Sequence, residues 1–141
     1  MTARLILPAG LRAQILEEAR AALPRECCGL VEGMHDGHAI CVQALHATNN
    51  LATAPDRFEI DPAEQFRLAR ELRGTGREIV GCYHSHPNGR PEPSKRDLEC
   101  VTENGFIWLI AALDTGAVSL RAFVSRQEGF DEISLSQASQ C

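Results

Sequence analysis

The sequence has few features of a membrane, exported or nucleic-acid-binding protein. Its longest apolar run, FIWLIAAL at 106–113, is far shorter than the ~20 residues that a membrane-spanning helix needs. The start of the chain, MTARLILPAG, has one arginine and too few apolar residues for a secretory signal. A formal net charge of -5 disfavours a nucleic-acid binder, which normally presents a basic surface. These absences predict a cytoplasmic protein that binds neither membranes nor nucleic acid.

Cysteine pairs at the spacing of a metal site or a redox motif are also missing. The chain has 6 cysteines and no CxxC sequence; they are Cys27, Cys28, Cys41, Cys82, Cys100 and Cys141. This is neither a zinc-knuckle pattern nor a disulfide framework. Without an export signal we expect reduced and mostly buried thiols that take no part in the chemistry.

The length and composition fit one globular domain. A chain of 141 residues can bury a single core, and 44% hydrophobic with 23% charged residues is close to the globular average. No internal repeat, low-complexity tract or linker interrupts the chain. We therefore predict a single domain over residues 1–141.

A first helix is predicted over residues 8–23. Leu11, Ile15 and Ala19 recur on one face of this segment at helical spacing, and Pro24 marks its exit. A second helix is predicted over residues 60–74, where the sequence offers a complete set of helix signals. These are Asp61 as N-cap, Pro62 at the first position, Glu64 in a capping box, Gly74 at the exit, and an apolar face of Phe66, Ala69 and Leu72.

Apolar runs separated by turn residues predict a β-sheet. CCGLVEG and AICVQAL flank Asp36-Gly37, which is a favourable hairpin turn. Further strands are expected at RFEI, REIVGCY, FIWLIAAL, AVSLRAFV and FDEISLS, and a short third helix at SKRDLECVTENG. Because strands outnumber helices and mostly follow one another, we predict an α+β fold with a mixed, largely antiparallel β-sheet flanked by helices.

The segment YHSHPNGRPEPSKRD, residues 83–97, carries candidate metal ligands. Side chains two apart on a strand share a face, so His84 and His86 at the end of a strand can address one point, with Ser85 facing away. The following loop, with its prolines and glycine, can return Asp97 to that point. Two imidazoles and a carboxylate suit Zn²⁺ and leave a fourth position for water, as in catalytic zinc sites.

Each part of this motif also has a purely structural interpretation. An HxH pair is common by chance, and Ser94-x-x-Asp97 is a good capping box for the third helix. The cap and a metal would then compete for the oxygens of Asp97. The prolines could be simple punctuation between a strand and a helix. The combination of all these parts favours a metal site over any one coincidence.

The combination resembles the JAMM (JAB1/MPN/Mov34) metalloproteases in their small stand-alone prokaryotic form. HSHPNGRPEPSKRD matches that family's HxHP followed by SxxD, and PRECCGLVEG supplies a glutamate in the setting of its upstream glutamate. The resemblance implies the MPN-type, cytidine-deaminase-like architecture, with Zn²⁺ held by His84, His86 and Asp97. Glu26 would act as general base and acid, and Ser94 would stabilise the oxyanion.

The resemblance also implies a reaction and a substrate. A zinc-activated water would hydrolyse a peptide or isopeptide bond at the C-terminal tail of a ubiquitin-like or sulfur-carrier protein. Small relatives of this family cut such carriers after a C-terminal Gly-Gly, and an extended tail could lie along a sheet edge. The long insertions of eukaryotic deubiquitinating members are missing. The segment is also similar to RadC-like proteins, but the context of Glu26 favours the peptidases.

Several alternatives remain open at this point. The rival glutamates for the role of base are Glu32, Glu59, Glu92 and Glu99. A non-catalytic MPN scaffold would usually lack a ligand or the glutamate, whereas this chain retains them all. A zinc deaminase would require H-x-E and PCxxC sequences, and the chain has neither. The sequence is silent on the oligomeric state and on the identity of the carrier.

Overall fold

Strands dominate the computed structural model, which describes residues 2–87, 89–101, 103–114 and 117–138. Its elements in chain order are β1 (Arg4–Pro8), α1 (Ala9–Ala22), β2 (Cys28–Asp36), β3 (Ala39–Thr48), α2 (Pro62–Leu72), β4 (Glu78–His86), α3 (Lys95–Glu99), β5 (Ile107–Asp114), β6 (Ala117–Arg126) and β7 (Gly129–Ala138). None of the described helices is both long and apolar enough to span a membrane.

The strands form one mixed sheet that closes on itself in the order β1-β3-β2-β4-β5-β6-β7. β1 runs parallel to β3 and β7, and β4 runs parallel to β5; the remaining neighbours are antiparallel. The predicted α+β class with a mixed sheet flanked by helices is confirmed. Closure was not predicted, and it gives every described strand two neighbours. β1 pairs with β3 only at Ala39–Cys41, so the expectation that a substrate tail lies along a sheet edge stays a prediction.

Helix α1 packs against the main core. Its residues Ile15 and Ala19 are buried there, and Leu11 packs against the same cluster, which confirms the predicted helix face. The buried Tyr83 of β4 donates a hydrogen bond of 2.6 Å from its hydroxyl to Glu18 of α1. Each fully buried aliphatic side chain contributes about 1.5–3 kcal/mol. This packing fixes the strand β4, which carries the candidate ligands.

Helix α2 buries a different face from the one predicted. Leu68 and Leu72 are buried and pack on Leu30 of β2, whereas Phe66 is 75% exposed. Phe66 lies two positions before Leu68, which is about 200° around a helix and therefore on the opposite side. Of the expected apolar face of Phe66, Ala69 and Leu72, only Leu72 is buried.

The N-terminus of α2 follows the prediction in part. Asp61 is the N-cap and accepts a hydrogen bond of 3.0 Å from the backbone N–H of Ala63, with Pro62 at the first position. Glu64 does not complete a capping box. Its carboxylate lies 2.6 Å from the guanidinium of Arg67 instead, one turn along the exposed face.

Two short segments also differ from the expected pattern. β1 was not predicted, because its five residues are held by parallel pairing with β3 and β7 that local sequence does not encode. The RFEI segment, residues 57–60, is not a strand. Its backbone groups at Arg57 and Glu59 bind the side chain of Asn50 rather than a neighbouring strand.

The third helix is confined to α3, and β5 to β7 match the predicted strands.

Most of the described cysteines are free thiols, as expected. Cys27, Cys28 and Cys82 are buried, and Cys100 is exposed. Cys41 is disulfide-bonded, contrary to the expectation of reduced thiols throughout. Cys141 lies outside the described residues.

Candidate metal centre

The end of β4 brings two histidines to one point. The Nε2 atoms of His84 and His86 lie 3.1 Å apart, and both side chains are buried. Ser85 faces the other way, as strand alternation predicts: its hydroxyl oxygen accepts a hydrogen bond of 2.8 Å from the N–H of Cys27. The backbone N–H of Ser85 donates to the Cys27 carbonyl at 3.2 Å. The residue between the histidines therefore holds the segment that carries Glu26.

Helix α3 returns Asp97 to the same point. Its Oδ2 lies 3.2 Å from the Nε2 atoms of both His84 and His86. The same oxygen accepts a hydrogen bond of 2.8 Å from the N–H of Ser94, whose hydroxyl oxygen accepts one of 3.1 Å from the N–H of Asp97. One conformation thus serves both the capping box and the approach to the histidines. The capping box and the two histidines meet at the same oxygen of Asp97, Oδ2, and a part for Asp97 in metal binding stays a prediction.

These three atoms fit a tetrahedral metal ion. They form a triangle with sides of 3.1, 3.2 and 3.2 Å. Zinc ligands at ~2.0–2.1 Å in tetrahedral geometry lie about 3.3–3.4 Å from one another. His86 Nδ1 faces the carbonyl of Arg90 at 2.8 Å, so its proton can be donated there and Nε2 keeps its lone pair. This is the usual arrangement of a metal-binding histidine.

The charges of these candidate ligands are set by their surroundings. Burial lowers the pKa of His84, which favours a neutral imidazole. Burial opposes protonation of His86, but its hydrogen bonds to Asp97 and to the Arg90 carbonyl outweigh this and raise its pKa. Burial alone would raise the pKa of Asp97. Hydrogen bonds from His84, His86 and the Ser94 N–H outweigh burial and hold this pKa below its ordinary value, so the carboxylate is ionised.

Glu26 lies beside this triangle. It is 5% exposed, and one of its oxygens lies within 4.8 Å of the ligand nitrogens of His84 and His86. Its Oε1 is buried and has no hydrogen-bond partner among the described residues. Burial raises its pKa to about 7, with His86 opposing this shift and Asp97 reinforcing it. A carboxyl group with this pKa can accept or release a proton near neutral pH.

Two clefts border the centre. The first cleft, of about 890 Å³, is lined by Glu26, His86 and Ser94 and is walled by loop residues that include Pro55 and Asp56. The second cleft has a volume of about 850 Å³ and a largely apolar lining that reaches Asp97; it includes Leu51, Phe58, Ile60, Phe106 and Trp108. Residues 50–60, hereafter the 50–60 loop, contribute to the walls of both.

The rival glutamates are placed elsewhere. Glu32 is buried, and it pairs with His46 at 2.8 Å and Arg77 at 3.2 Å. Glu92 lines the first cleft, but its carboxylate lies 3.6 Å from Arg121. The second cleft is lined by Glu59 and Glu99. Among the five candidates, Glu26 is the one grouped with the two histidines.

Two contacts at the centre had no signal in the sequence. Phe58 stacks on the ring of His84, with centroids 4.3 Å apart and planes at 20°. Asn50 donates a hydrogen bond of 3.0 Å from its side-chain amide to the carbonyl of Glu26. Both residues lie in a segment far from the histidines in sequence, and Phe58 belongs to the run that we expected to be a strand.

Comparisons with known proteins show what this chain is similar to. The family described as prokaryotic homologs of the JAB domain matches residues 8–125. A desampylase of Haloferax volcanii is 36% identical over 118 residues, which cover 80% of this chain and 84% of that protein. A probable TtuB-protein conjugate cleaving protease of Thermus thermophilus is 28% identical over 120 residues, 85% of this chain and 75% of that protein.

Two solved structures are similar across nearly the whole chain. A protein from Desulfitobacterium hafniense has a TM-score of 0.87 at 30% identity, covering 96% of this chain and 94% of its own. A JAB1/MPN domain protein from Archaeoglobus fulgidus has a TM-score of 0.59 at 22% identity, covering 94% of this chain and 98% of its own. The second similarity shows that the two chains share a fold.

Proposed function

Because the chain belongs to the family of prokaryotic homologs of the JAB domain, we propose that it is a zinc-dependent peptidase. Its substrate would be the C-terminal tail of a ubiquitin-like or sulfur-carrier protein, joined to a partner by a peptide or isopeptide bond. The proposal rests above all on the triangle formed by two imidazole nitrogens and one carboxylate oxygen, with Glu26 beside it. We expect residues 1–141 to act as a single domain.

His84, His86 and Asp97 would hold the metal. When bound, zinc supplies polarisation of the scissile carbonyl and an acidified water with a pKa of ~7. Burial of His84 and the lowered pKa of Asp97 favour the charge states that zinc requires of these two residues. His86, whose pKa is raised, would release its proton when zinc binds. The hydrogen bond from His86 Nδ1 to the Arg90 carbonyl fixes that ring's orientation.

Glu26 would move the proton. Its carboxylate takes a proton from the attacking water and delivers it to the leaving amine as the carbon–nitrogen bond breaks. Burial raises its pKa to about 7 in the metal-free protein, and a bound zinc ion would lower it and favour the carboxylate that accepts the proton. Ser94 lines the same cleft, and because its oxygen already accepts the Asp97 N–H, its hydroxyl proton can be donated to the developing oxyanion.

A cysteine nucleophile is disfavoured. Burial raises the pKa of Cys27 to about 11, and burial also raises the pKa of the other free thiols in the described part of the chain. A thiol with a raised pKa stays protonated at neutral pH and is a poor nucleophile. Direct attack by water, with no covalent enzyme intermediate, is the reaction that these residues support.

The substrate class comes from the relatives. One is named as a desampylase and another as a protease that cleaves TtuB-protein conjugates. We propose that this chain likewise cleaves a conjugate of a small carrier protein. The first cleft, which contains Glu26 and Ser94, would receive the scissile bond.

The test uses two probes made from one sulfur-carrier protein that ends in Gly-Gly. In one, the terminal glycine is joined to the lysine ε-amine of a fluorescent peptide; in the other, the same peptide extends the C-terminus directly. The zinc-loaded protein should cleave at least one probe after Gly-Gly. Glu26→Gln should reduce that rate by ~10²–10⁴, the range for loss of general acid–base catalysis.

A matched control is Glu17→Gln, which makes the same change on the exposed face of α1 and should keep the parent rate. Chelation should stop cleavage, and added zinc should restore it. Equal rates with and without chelator would contradict the proposal. Zinc-loaded protein that binds the carrier without cutting either probe would favour the non-catalytic scaffold.

A further inference from the structure

One side chain fastens the 50–60 loop to the backbone of Glu26. The Nδ2 of Asn50 donates hydrogen bonds of 3.0 Å to the carbonyls of Glu26 and Arg57. Its Oδ1 accepts bonds of 2.9 Å from the N–H of Ala52 and 3.0 Å from the N–H of Glu59. Both donors and both acceptor positions of this amide are therefore used, which makes it the organising group of the loop.

The same loop contacts the centre at two further points. Phe58 stacks on His84 at 4.3 Å, and Asp56 Oδ2 lies 3.8 Å from Arg96 Nε on α3. Arg25, which precedes Glu26, donates a hydrogen bond from its guanidinium to the carbonyl of Ala52. The loop is thus joined to His84, to helix α3, which carries Asp97, and to the segment that carries Glu26. Residues of this loop also line both clefts.

Glu26 depends on this loop because it lies outside the sheet. Pairing of β2 with β3 and with β4 begins only at Cys28, so within the described part of the chain no strand pairs with Glu26. Cys27 is held on one side by Ser85. On the other side the Glu26 carbonyl is held by Asn50. Both contacts are made by the peptide unit that joins Glu26 to Cys27, directly after the Cα atom that carries the Glu26 side chain.

We propose that Asn50 is a positioning residue that holds Glu26 in place for proton transfer and couples the base to the wall of the substrate clefts. This inference rests on the proposed function, because it assigns Asn50 a part in that reaction. A displacement of ~1 Å at a catalytic group can reduce the rate about 10²-fold. Loss of the Asn50–Glu26 bond should therefore reduce turnover more than it weakens binding.

The test variant is Asn50→Asp, and its matched control is Asn49→Asp. Asn50→Asp keeps an oxygen that can accept hydrogen bonds from the N–H groups of the loop. It removes both N–H donors of the amide and places a carboxylate oxygen against the carbonyls of Glu26 and Arg57. The second makes the same change at the exposed neighbouring residue. We expect Asn50→Asp to lower kcat on the cleaved probe by ~10–100-fold. Its KM should stay within about threefold of the parent value, and its zinc content should be unchanged. Asn49→Asp should match the parent in all three measurements.

Amide hydrogen exchange provides a readout that needs neither zinc nor substrate. In Asn50→Asp, exchange should accelerate together in the loop and at residues 26–28, whereas Asn49→Asp should leave both unchanged. A purely structural role in the cleft wall predicts a raised KM, an unchanged kcat and no effect at residues 26–28. Should Asn50→Asp not fold, Asn50→Gln, which has the same groups on a longer side chain, carries the same expectations.

The outcomes separate this inference from the proposed function. Unchanged kcat, or unchanged exchange at residues 26–28, overturns the role of Asn50 even when the parent is fully active. A parent that cleaves neither probe overturns the proposed function, and with it any catalytic role for Asn50. Faster amide exchange in both the 50–60 loop and residues 26–28 of Asn50→Asp, together with a fall in kcat, supports the role of Asn50.

Discussion

The buried carboxyl group of Glu26 predicts how the stability of the metal-free protein depends on pH. Burial raises its pKa from 4.5 to about 7. The unfolded chain restores the ordinary value, so between pH 4.5 and 7 the folded protein keeps a proton that the unfolded chain has lost. The stabilisation from this group is therefore complete below pH 4.5 and is lost as the pH rises through 7.

Glu26→Gln removes this dependence while keeping the size of the side chain. The shift in pKa corresponds to at most about 3 kcal/mol between the two protonation states. In the presence of chelator, parent and variant should have similar free energies of unfolding at about pH 4.5. At about pH 8 the variant should be more stable by ~2–3 kcal/mol. His86 is present in both proteins, but Glu26 helps to raise the pKa of His86 and His86 lowers that of Glu26, so the difference between the two proteins includes this mutual interaction.

Urea denaturation at several pH values measures this difference. Trp108 is the only tryptophan and is 4% exposed, so its fluorescence reports unfolding of the β5 core. Glu17→Gln, on the exposed face of α1, should change the free energy of unfolding by less than ~0.5 kcal/mol at every pH. Parallel pH profiles for the parent and Glu26→Gln would refute a buried carboxyl group of raised pKa.

Three further predictions concern the centre and the strand that carries it. Ser94→Ala should keep its zinc but lose ~10²–10³ in kcat, measured on the cleaved probe; an unchanged kcat would exclude an oxyanion role. Zinc at ~1,000 times its Kd should raise the free energy of unfolding of the chelator-treated parent by about 4 kcal/mol in urea melts, and should leave His86→Ala unaffected. Gly81→Ala should destabilise by ~3 kcal/mol or more, because its Cβ would overlap the Ile107 carbonyl oxygen. Its control, Gly10→Ala in α1, has nothing within 4 Å of the added Cβ and should stabilise by up to ~1 kcal/mol.

The grouping of His84, His86 and Asp97 could be predicted from the sequence because it depends on local rules. Alternation along a strand places His84 and His86 on one face, and the Ser94–Asp97 capping box fixes where Asp97 points. Both patterns operate over a few residues. The position of Glu26, by contrast, came from resemblance to a family and not from spacing.

The features that the sequence did not predict depend on distant partners. β1 forms only because β3 and β7 are both available as parallel neighbours. Phe66 has the right spacing for a buried helix face, but the sheet receives Leu68 instead. Asn50 is an ordinary loop residue until folding places the Glu26 carbonyl within 3.0 Å of its amide. No local pattern reports such contacts.

Zinc content per chain tests the central claim most directly. Elemental analysis of untagged protein would compare the parent with His86→Ala, Asp97→Ala and Glu26→Gln. A centre built from His84, His86 and Asp97 predicts about one zinc in the parent and in Glu26→Gln, and far less in the two ligand variants. A parent that takes up no zinc, or a Glu26→Gln protein that loses it, would contradict a metal centre with Glu26 as the base beside it.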